Sequence, residues 1–323
     1  MRSLWGVGPT APIHFGYDVS VLAQKSLIEQ GSDHTVLIAD LHAMMTKGLS
    51  FVEARQRSGY YEAVLERCYG LQCRYVRGSD FQLSNDYITW LLGLSSRIRL
   101  AKTINTFPRA TEEGARTESA SVSALLYPLM QCLDALFLRT DTVIADTGQR
   151  RIYDLLKTRS VLAGETAGLL DHTGSDAKLV VPSDFQYHSL LVGTDGKPLA
   201  ASKASTRITI HESPETLRQK IQKMYAPPGD QAVTDGRHNA LLAYLEFCAF
   251  PWIDSPVTIP TRDGHIVCDS FGQMELHYRS GEMHPGDLKD FLFEVLLERI
   301  HRFRDELADA AYGWLNITRT RGA

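Results

Sequence analysis

Residues 13–17, Ile-His-Phe-Gly-Tyr, place a histidine, a glycine and a tyrosine directly before a predicted helix. His14 can donate a hydrogen bond to an anionic oxygen, and Gly16 lets a flat base approach the backbone. The short apolar run Leu4–Val7 precedes them. We therefore expect the turn at the carboxyl end of a strand, where open α/β sheets bind phosphate-containing ligands. Simple turn chemistry would give the same His-x-Gly pattern, so this alternative stays open.

A second candidate is the segment 201–205, Ala-Ser-Lys-Ala-Ser, in which small residues surround one lysine. In a loop that closes over phosphates, Ser202 and Lys203 could bind the phosphates and neutralise charge as it develops. A solvated linker before a helix would have the same composition.

A third candidate is a polar stripe on one predicted helix. Tyr127, Gln131 and Asp134 are spaced four and three residues apart and so share a helix face, and Gln149 begins the next helix. Their oxygens could bind an ammonium group, and the carboxylate could accept a hydrogen bond from a phenol or an amine. A solvated helix face is the alternative. The stripe is flanked by apolar residues, which favour a buried pocket: Leu126, Leu129, Met130 and Leu133.

Strand-like and helix-like segments alternate through the first two-thirds of the chain, which predicts an α/β fold with a parallel sheet. The predicted strands are Leu4–Val7, Thr35–Ala39, Cys73–Val76 and Thr142–Ala145. The predicted helices are Asp18–Glu29, Phe51–Tyr69, Asp86–Leu100, Leu125–Leu138 and Gly148–Thr158.

The pattern changes after Pro214. A charged helix, Glu215–Tyr225, is followed by an irregular segment that contains three prolines, and a long amphipathic helix, Pro285–Ala311, comes last. The change predicts a domain boundary near residues 210–230 and a mostly helical second domain.

Composition narrows the possible functions. The chain has 34 Lys+Arg and 38 Asp+Glu, a net charge of −4, which gives no global basic field for nucleic acid but leaves a local basic face possible. Five cysteines without a CxxC pair are expected to be reduced, and we expect no metal site. No targeting segment or apolar run of about 20 residues is visible, so we expect a cytoplasmic protein without a membrane partner.

Several motifs, taken in order, resemble the class I aminoacyl-tRNA synthetases, and within them the tyrosyl-tRNA synthetases of the archaeal and eukaryotic type. These motifs are Gly-Pro-Thr-x-x-Ile-His-Phe-Gly (8–16), Leu-Ile-Ala-Asp-Leu-His-Ala (37–43), Tyr-Pro-Leu-Met-Gln-Cys-Leu-Asp (127–134), Gln-Arg-Arg (149–151) and His-Pro-Gly-Asp-Leu-Lys (284–289). The resemblance covers essentially the whole chain. It implies a Rossmann-like catalytic domain over residues 1–212, a smaller, mostly helical anticodon-binding-type domain over 213–323, and a homodimer.

The resemblance also implies a role for each matching residue. His14 and Gly16 correspond to the ATP-binding HIGH motif, and Ser202 and Lys203 to the KMSKS loop. Within the amino-acid site, Tyr127, Gln131 and Gln149 correspond to positions that hold the α-ammonium end, and Asp134 to the carboxylate that binds the tyrosine hydroxyl. Further implied amino-acid-binding positions are Leu4, Ala39, His42 and Asp146, with loop packing as the alternative for His42. Finally, His284 and Asp287 correspond to positions near the tRNA anticodon.

The reaction implied by the resemblance is the attack of an amino-acid carboxylate on the α-phosphate of ATP, followed by transfer of the acyl group to tRNA. ATP with Mg²⁺ enters as a substrate, and no tightly bound cofactor is expected. Two motifs depart from the family. Tyr17 replaces the second HIGH histidine, which leaves Tyr17 as a candidate donor in catalysis, and the first KMSKS lysine falls on Leu199 or Ala200.

The amino-acid pocket also departs from the family. A tyrosine that gives the substrate hydroxyl its second partner falls on Leu4, or on Trp5 after a one-residue shift, and a Gly-Gly pair becomes Ala145-Asp146. Both changes point away from plain L-tyrosine. The leading interpretation is therefore a tyrosyl-tRNA-synthetase-like ligase that acts on tyrosine or on an altered aromatic amino acid. Two alternatives stay open: a tRNA-independent paralogue that activates an amino acid for small-molecule amide formation, and a catalytically silent RNA-binding or regulatory relative.

Overall fold

The computed structural model of the protein describes residues 1–96, 98–106, 121–157, 181–199, 204–227 and 237–308. The chain forms two compact units. The first consists of Met1–Ala11, Ala23–Glu66 and Gly70–His188, and the second of Pro12–Leu22, Arg67–Tyr69 and Ser189–Ala323. The functional boundary at residue 212 stays a prediction.

The first unit contains a five-stranded parallel sheet in the order β3-β2-β1-β4-β5. Its strands are β1 (Arg2–Val7), β2 (Asp33–Ile38), β3 (Arg74–Arg77), β4 (Thr142–Asp146) and β5 (Asp184–His188). The first four confirm the predicted strands, with small shifts at their ends. Together with the helices that alternate with them, they confirm the predicted α/β class.

The sequence pattern did not predict β5. Its residues, Asp-Phe-Gln-Tyr-His, alternate polar and aromatic side chains, and none of them is fully buried. The strand lies at the edge of the sheet. An edge strand needs no continuous apolar run, which is the signal that identified the inner strands.

Helices connect these strands. They are α1 (Tyr17–Glu29), α2 (Asp40–Lys47), α3 (Phe51–Ala63), α4 (Asn85–Ser95), α5 (Leu100–Ile104), α6 (Val122–Phe137) and α7 (Arg150–Lys157). The helix predicted over Phe51–Tyr69 continues from α3 into a π-helical turn, Val64–Cys68. The helix predicted from Gly148 begins instead at Arg150, because residues 147–149 form a tighter 3₁₀ turn.

The second unit contains α8 (Pro214–Gln222), α9 (Ala240–Tyr244), α10 (Phe271–Arg279) and α11 (Pro285–Glu306). The segment with three prolines was expected to be irregular, and this expectation was wrong for its last part, around Pro260. Strands β6 (Val257–Thr261) and β7 (Gly264–Cys268) form an antiparallel hairpin there, which tolerates Pro260 because a two-stranded ribbon leaves backbone positions outside the ladder. Among the described ranges, no helix has the length and apolar composition that crossing a bilayer requires.

A buried polar network joins α1, β1 and β2 inside the first unit. The His34 ring bonds Ser3 Oγ through Nδ1 at 2.8 Å and Gln24 Oε1 through Nε2 at 3.0 Å. Because Gln24 Oε1 can only accept, Nε2 carries the proton and the neutral ring satisfies both partners. Burial lowers the pKa of His34 to about 4.

This network predicts acid destabilisation. The unfolded chain binds a proton at its ordinary histidine pKa, whereas the folded chain resists protonation until about pH 4, so stability falls as pH drops through this window. When the pH falls from 7 to 4.5, the unfolding free energy of His34→Gln should drop by roughly 2 to 3 kcal/mol less than that of the wild type. Urea unfolding at both pH values measures it, with the exposed His301→Gln as control. Parallel pH profiles for wild type and His34→Gln would refute the account.

Candidate active site

Asp134, on α6, is a buried carboxylate in the apolar core of the first unit, with 2% of its surface exposed. Gln82 Nε2 and Tyr87 Oη each donate a hydrogen bond to Asp134 Oδ1 at 2.7 Å. Nε2 of His42 is 3.8 Å from Oδ2, beyond hydrogen-bonding distance. Within the described part of the chain, Oδ2 therefore accepts no hydrogen bond.

Burial controls the charges of this pocket. It raises the pKa of Asp134 to about 7, although the hydrogen bonds from Gln82 and Tyr87 oppose the rise. Burial also lowers the pKa of His42 to about 4, so at neutral pH the imidazole carries no charge to balance the carboxylate. A ligand that donates a hydrogen bond to Oδ2 would stabilise the ionised form of Asp134.

A tight turn after β3 positions Gln82. Asp40 Oδ1 accepts from the Ser79 backbone N–H at 2.8 Å, and Asp40 Oδ2 accepts from Ser79 Oγ at 2.6 Å. Glycine at residue 78 leaves room for the Gln82 amide, which a Cβ there would displace. Sequence reasoning missed both Gln82 and Tyr87. The signal was available, since the segment Gly-Ser-Asp-Phe-Gln follows a strand next to β2 and Ser84 then caps α4.

Tyr127 and Gln131 complete the α6 stripe beside Asp134, and Gln149 follows the end of β4. The Tyr127 ring meets the His42 ring edge-on with centroids 4.9 Å apart. Burial, followed by the Asp146 and Asp134 carboxylates, raises the pKa of Tyr127 to about 12. Oε1 of Gln131 and Oε1 of Gln149 are both buried without a hydrogen-bond partner among the described residues. Two such amide oxygens suit an ammonium group, which has only donors.

The remaining first-unit candidates occupy different surroundings. Leu4 is 2% exposed and shares the apolar core with Tyr87 and residues of α6, whereas Trp5 is not part of that core. Leu4 is therefore the β1 residue on the Asp134 side of the sheet. Ala39 joins the ends of two strands through its N–H, which donates to Val7 O at 2.8 Å. Asp146 Oδ1 accepts from Gly148 N–H at 2.7 Å and caps the turn that carries Gln149.

The second unit holds the His14 turn. Gly16 N–H donates to His14 Nδ1 at 3.1 Å, which leaves the ring proton on Nε2. Burial, with a contribution from Arg207, lowers the pKa of His14 to about 4, so the neutral ring offers Nε2–H as a donor. A Cβ at residue 16 would lie 2.7 Å from this ring, so a larger residue there would displace the ring. Tyr17 packs against His14 with ring centroids 4.9 Å apart.

Leu199 lies at the same turn, because a Cβ at Gly16 would come within 3.1 Å of Leu199 Cδ2. Ser202 and Lys203 lie outside the described residues. Elsewhere in the second unit, His284 caps α11 by accepting the Gly286 N–H at 2.9 Å. Arg262, at the end of the β6–β7 hairpin, brings its Nε within 3.7 Å of Asp287 Oδ1.

Comparison with known proteins identifies the family. A sequence profile described as tRNA synthetases class I (W and Y) matches residues 1–299. The chain belongs to this family of class I tRNA synthetases. The tyrosine–tRNA ligase of Haloarcula marismortui is 31% identical over 319 residues, which covers 94% of this chain and 85% of that protein. The tyrosine–tRNA ligase of Natronomonas pharaonis is 32% identical over 318 residues, with coverage of 94% and 85%.

Solved structures agree with this assignment. The tyrosyl-tRNA synthetase of Archaeoglobus fulgidus, solved with L-tyrosine, superposes with a TM-score of 0.79 at 27% identity and covers 95% of this chain and 90% of its own. The resemblance found in the sequence and the Rossmann-like sheet of this synthetase are thereby confirmed. Membership of the class also implies the use of ATP.

The raised pKa of Asp134 gives this synthetase a second pH dependence, of the opposite sign to that of His34. The unfolded carboxyl ionises near pH 3.8 and the folded one near 7, so its contribution to stability is lost as pH rises through this window. As the pH rises from 4 to 7.5, the wild type should lose about 4 kcal/mol of unfolding free energy that Asp134→Asn does not lose. Denaturant unfolding at the two pH values tests this, with the exposed Asp290→Asn as the matched control. A wild-type-like pH profile for Asp134→Asn would show that Asp134 titrates normally.

Proposed function

We propose that this chain is a tyrosine–tRNA ligase, which activates tyrosine with ATP as an adenylate and transfers it to tRNA. The observation that supports the proposal most is the buried Asp134 carboxylate, with one oxygen saturated and the other without a donor. A phenolic hydroxyl is the group that completes such a site, because it donates one hydrogen bond from an otherwise apolar ring. The similar proteins from Haloarcula marismortui and Natronomonas pharaonis carry the same activity in their names.

In the proposed reaction, the substrate hydroxyl donates to Asp134 Oδ2. The oxygens of Tyr127, Gln131 and Gln149 hold the α-ammonium. The substrate carboxylate attacks the α-phosphorus of ATP, a new C–O–P bond forms, and the bond to the β-phosphate oxygen breaks, so that pyrophosphate leaves with Mg²⁺. Holding the amino acid and ATP in the reacting orientation accounts for much of the rate acceleration.

On the ATP side, His14 Nε2–H donates to a phosphate oxygen and Gly16 allows close approach. Lys203 neutralises charge on the leaving pyrophosphate, and Ser202 donates a hydrogen bond to it. Tyr17 is positioned beside His14 as the substitute for a second histidine. The neutral imidazole of His14 contributes a hydrogen bond and no charge, which leaves the cationic role to Lys203.

On the tRNA side, His284 and Asp287 contact the anticodon, and the adenylate passes its acyl group to the 3′ end. We further propose that the enzyme works as a cytoplasmic homodimer. Arg262, 3.7 Å from Asp287, belongs to the same surface and offers a guanidinium to a base or a phosphate.

Substrate choice tests the proposal directly. Amino-acid-dependent ATP–pyrophosphate exchange should be fastest with tyrosine, and phenylalanine should be poorer by at least ~10³-fold because it leaves Oδ2 of Asp134 buried without a hydrogen-bond partner. The exchange rate should fall less with 4-aminophenylalanine than with phenylalanine, because the ring amine can still donate a hydrogen bond to Asp134 Oδ2 and Leu4 demands no second partner. Exchange with no aromatic amino acid would favour a silent relative, and a preference for 4-aminophenylalanine over tyrosine would favour an altered substrate.

The tRNA step is tested separately. Asp287→Ala should lower the rate of tRNA charging by about 10-fold or more, which is the effect of losing one base contact. The rate of ATP–pyrophosphate exchange should stay at the wild-type value. Asp290→Ala, one turn further along α11, is the control for the helix itself. Equal loss of charging and exchange in Asp287→Ala would mean that Asp287 only holds the fold. Tyrosine exchange without charging of any tRNA would identify the small-molecule ligase instead.

A further inference from the structure

An ion pair is buried inside the second unit. Asp18, on the first turn of α1, is fully buried, and Arg299 of α11 is 3% exposed. The guanidinium binds the carboxylate in a bidentate manner, Nη1 to Oδ2 at 2.5 Å and Nη2 to Oδ1 at 3.2 Å. Nη1 also donates to the Cys248 carbonyl at 2.7 Å. Two elements far apart in sequence are therefore joined by a directional contact.

Aromatic rings enclose the guanidinium. Its central carbon lies 4.4 Å from the Trp252 ring centroid, 4.9 Å from that of Phe15 and 5.4 Å from that of Phe303. Bidentate pairing and contact with the surrounding rings together fix the position and the orientation of the group, which a lysine ammonium could not do.

Phe15 connects this cluster to the His14 turn. It lies between His14 and Gly16, and its ring packs on the Arg299 guanidinium. Its carbonyl accepts from Cys248 Sγ at 3.5 Å and from Asp18 N–H at 3.0 Å, and its N–H donates to Ile208 O at 3.0 Å. The backbone carbonyl of Phe15 is thus held by Cys248 and Asp18, and its N–H by Ile208.

Stability alone does not account for such a pair. Removing two charges from water costs several kcal/mol per ion, and replacing a buried pair by apolar residues is often neutral or stabilising. The ion pair instead fixes the conformation of residues 15–18.

We propose that Asp18 and Arg299 form a positioning pair, which fixes the His14 turn so that Nε2–H of His14 is presented to the phosphates of ATP. The pair touches no reacting atom. It acts through Phe15 and through the start of α1. This inference rests on the proposed role of His14 in binding ATP.

The main test is the double variant Asp18→Leu/Arg299→Met, which replaces both charges by apolar side chains of similar size. We expect it to unfold at close to the wild-type temperature and to bind tyrosine within about 2-fold of wild type. Its kcat/KM for ATP in the exchange reaction should fall by about 100-fold, the effect of a displacement near 1 Å. Arg218→Met, which removes an exposed ion pair with Asp290, is the control and should leave all three values unchanged.

Arg299→Lys keeps the positive charge and provides a second test in case the double variant does not fold. It should also weaken ATP use without changing tyrosine binding, because it loses the bidentate and stacking geometry. Normal kcat/KM for ATP in either folded variant would overturn the proposal.

A readout independent of catalysis separates this inference from the proposed function. In ¹⁵N-histidine-labelled protein, the wild-type His14 ring should be the Nε2–H tautomer, assigned with His14→Gln, and both variants should show a tautomer mixture. Absence of exchange in wild type would refute the function, while an unchanged His14 tautomer in the variants would refute the positioning pair.

Discussion

The charge of Asp134 is the constraint on which the first unit depends. A carboxylate among leucines and aromatic rings is costly to ionise, and the chain supplies two donors to only one of its oxygens. Gln82 reaches Oδ1 because the Asp40–Ser79 contacts hold its turn, and Tyr87 reaches it because α4 begins at Ser84. The second oxygen is left for a ligand. A pocket of this kind selects a ring that carries a donor and disfavours one that does not.

The neutral histidines follow from the same physics. His14 and His42 are both pushed by burial to a pKa of about 4, so neither carries charge at physiological pH. In His14 the Gly16 N–H occupies Nδ1, and the ring becomes a directional donor through Nε2. A synthetase that handles a triphosphate with neutral donors still needs a cation, and the retained lysine of the loop is the residue proposed for that role.

Sequence reasoning reached the fold and the α6 stripe because both have strong periodic signals. Inner strands are continuous apolar runs, and Tyr127, Gln131 and Asp134 share a helix face by spacing alone. It missed β5, none of whose residues is fully buried, and the β6–β7 hairpin, whose first strand contains Pro260. Gln82 and Tyr87 were missed because their importance depends on a contact across about 50 residues. Asp146 illustrates a third limit: its residue type alone could not show that one of its oxygens caps the neighbouring turn.

The central claim is that the tyrosine hydroxyl is bound by the ionised Asp134 carboxylate. Isothermal titration calorimetry at pH 7, in buffers of different ionisation enthalpy, measures the protons exchanged on binding. Because the pKa of Asp134 is about 7 in the free protein, about half of the molecules carry its proton there. Tyrosine binding should release about half a proton in the wild type and none in Asp134→Asn. Equal proton release in the two proteins, or none in the wild type, would contradict the account.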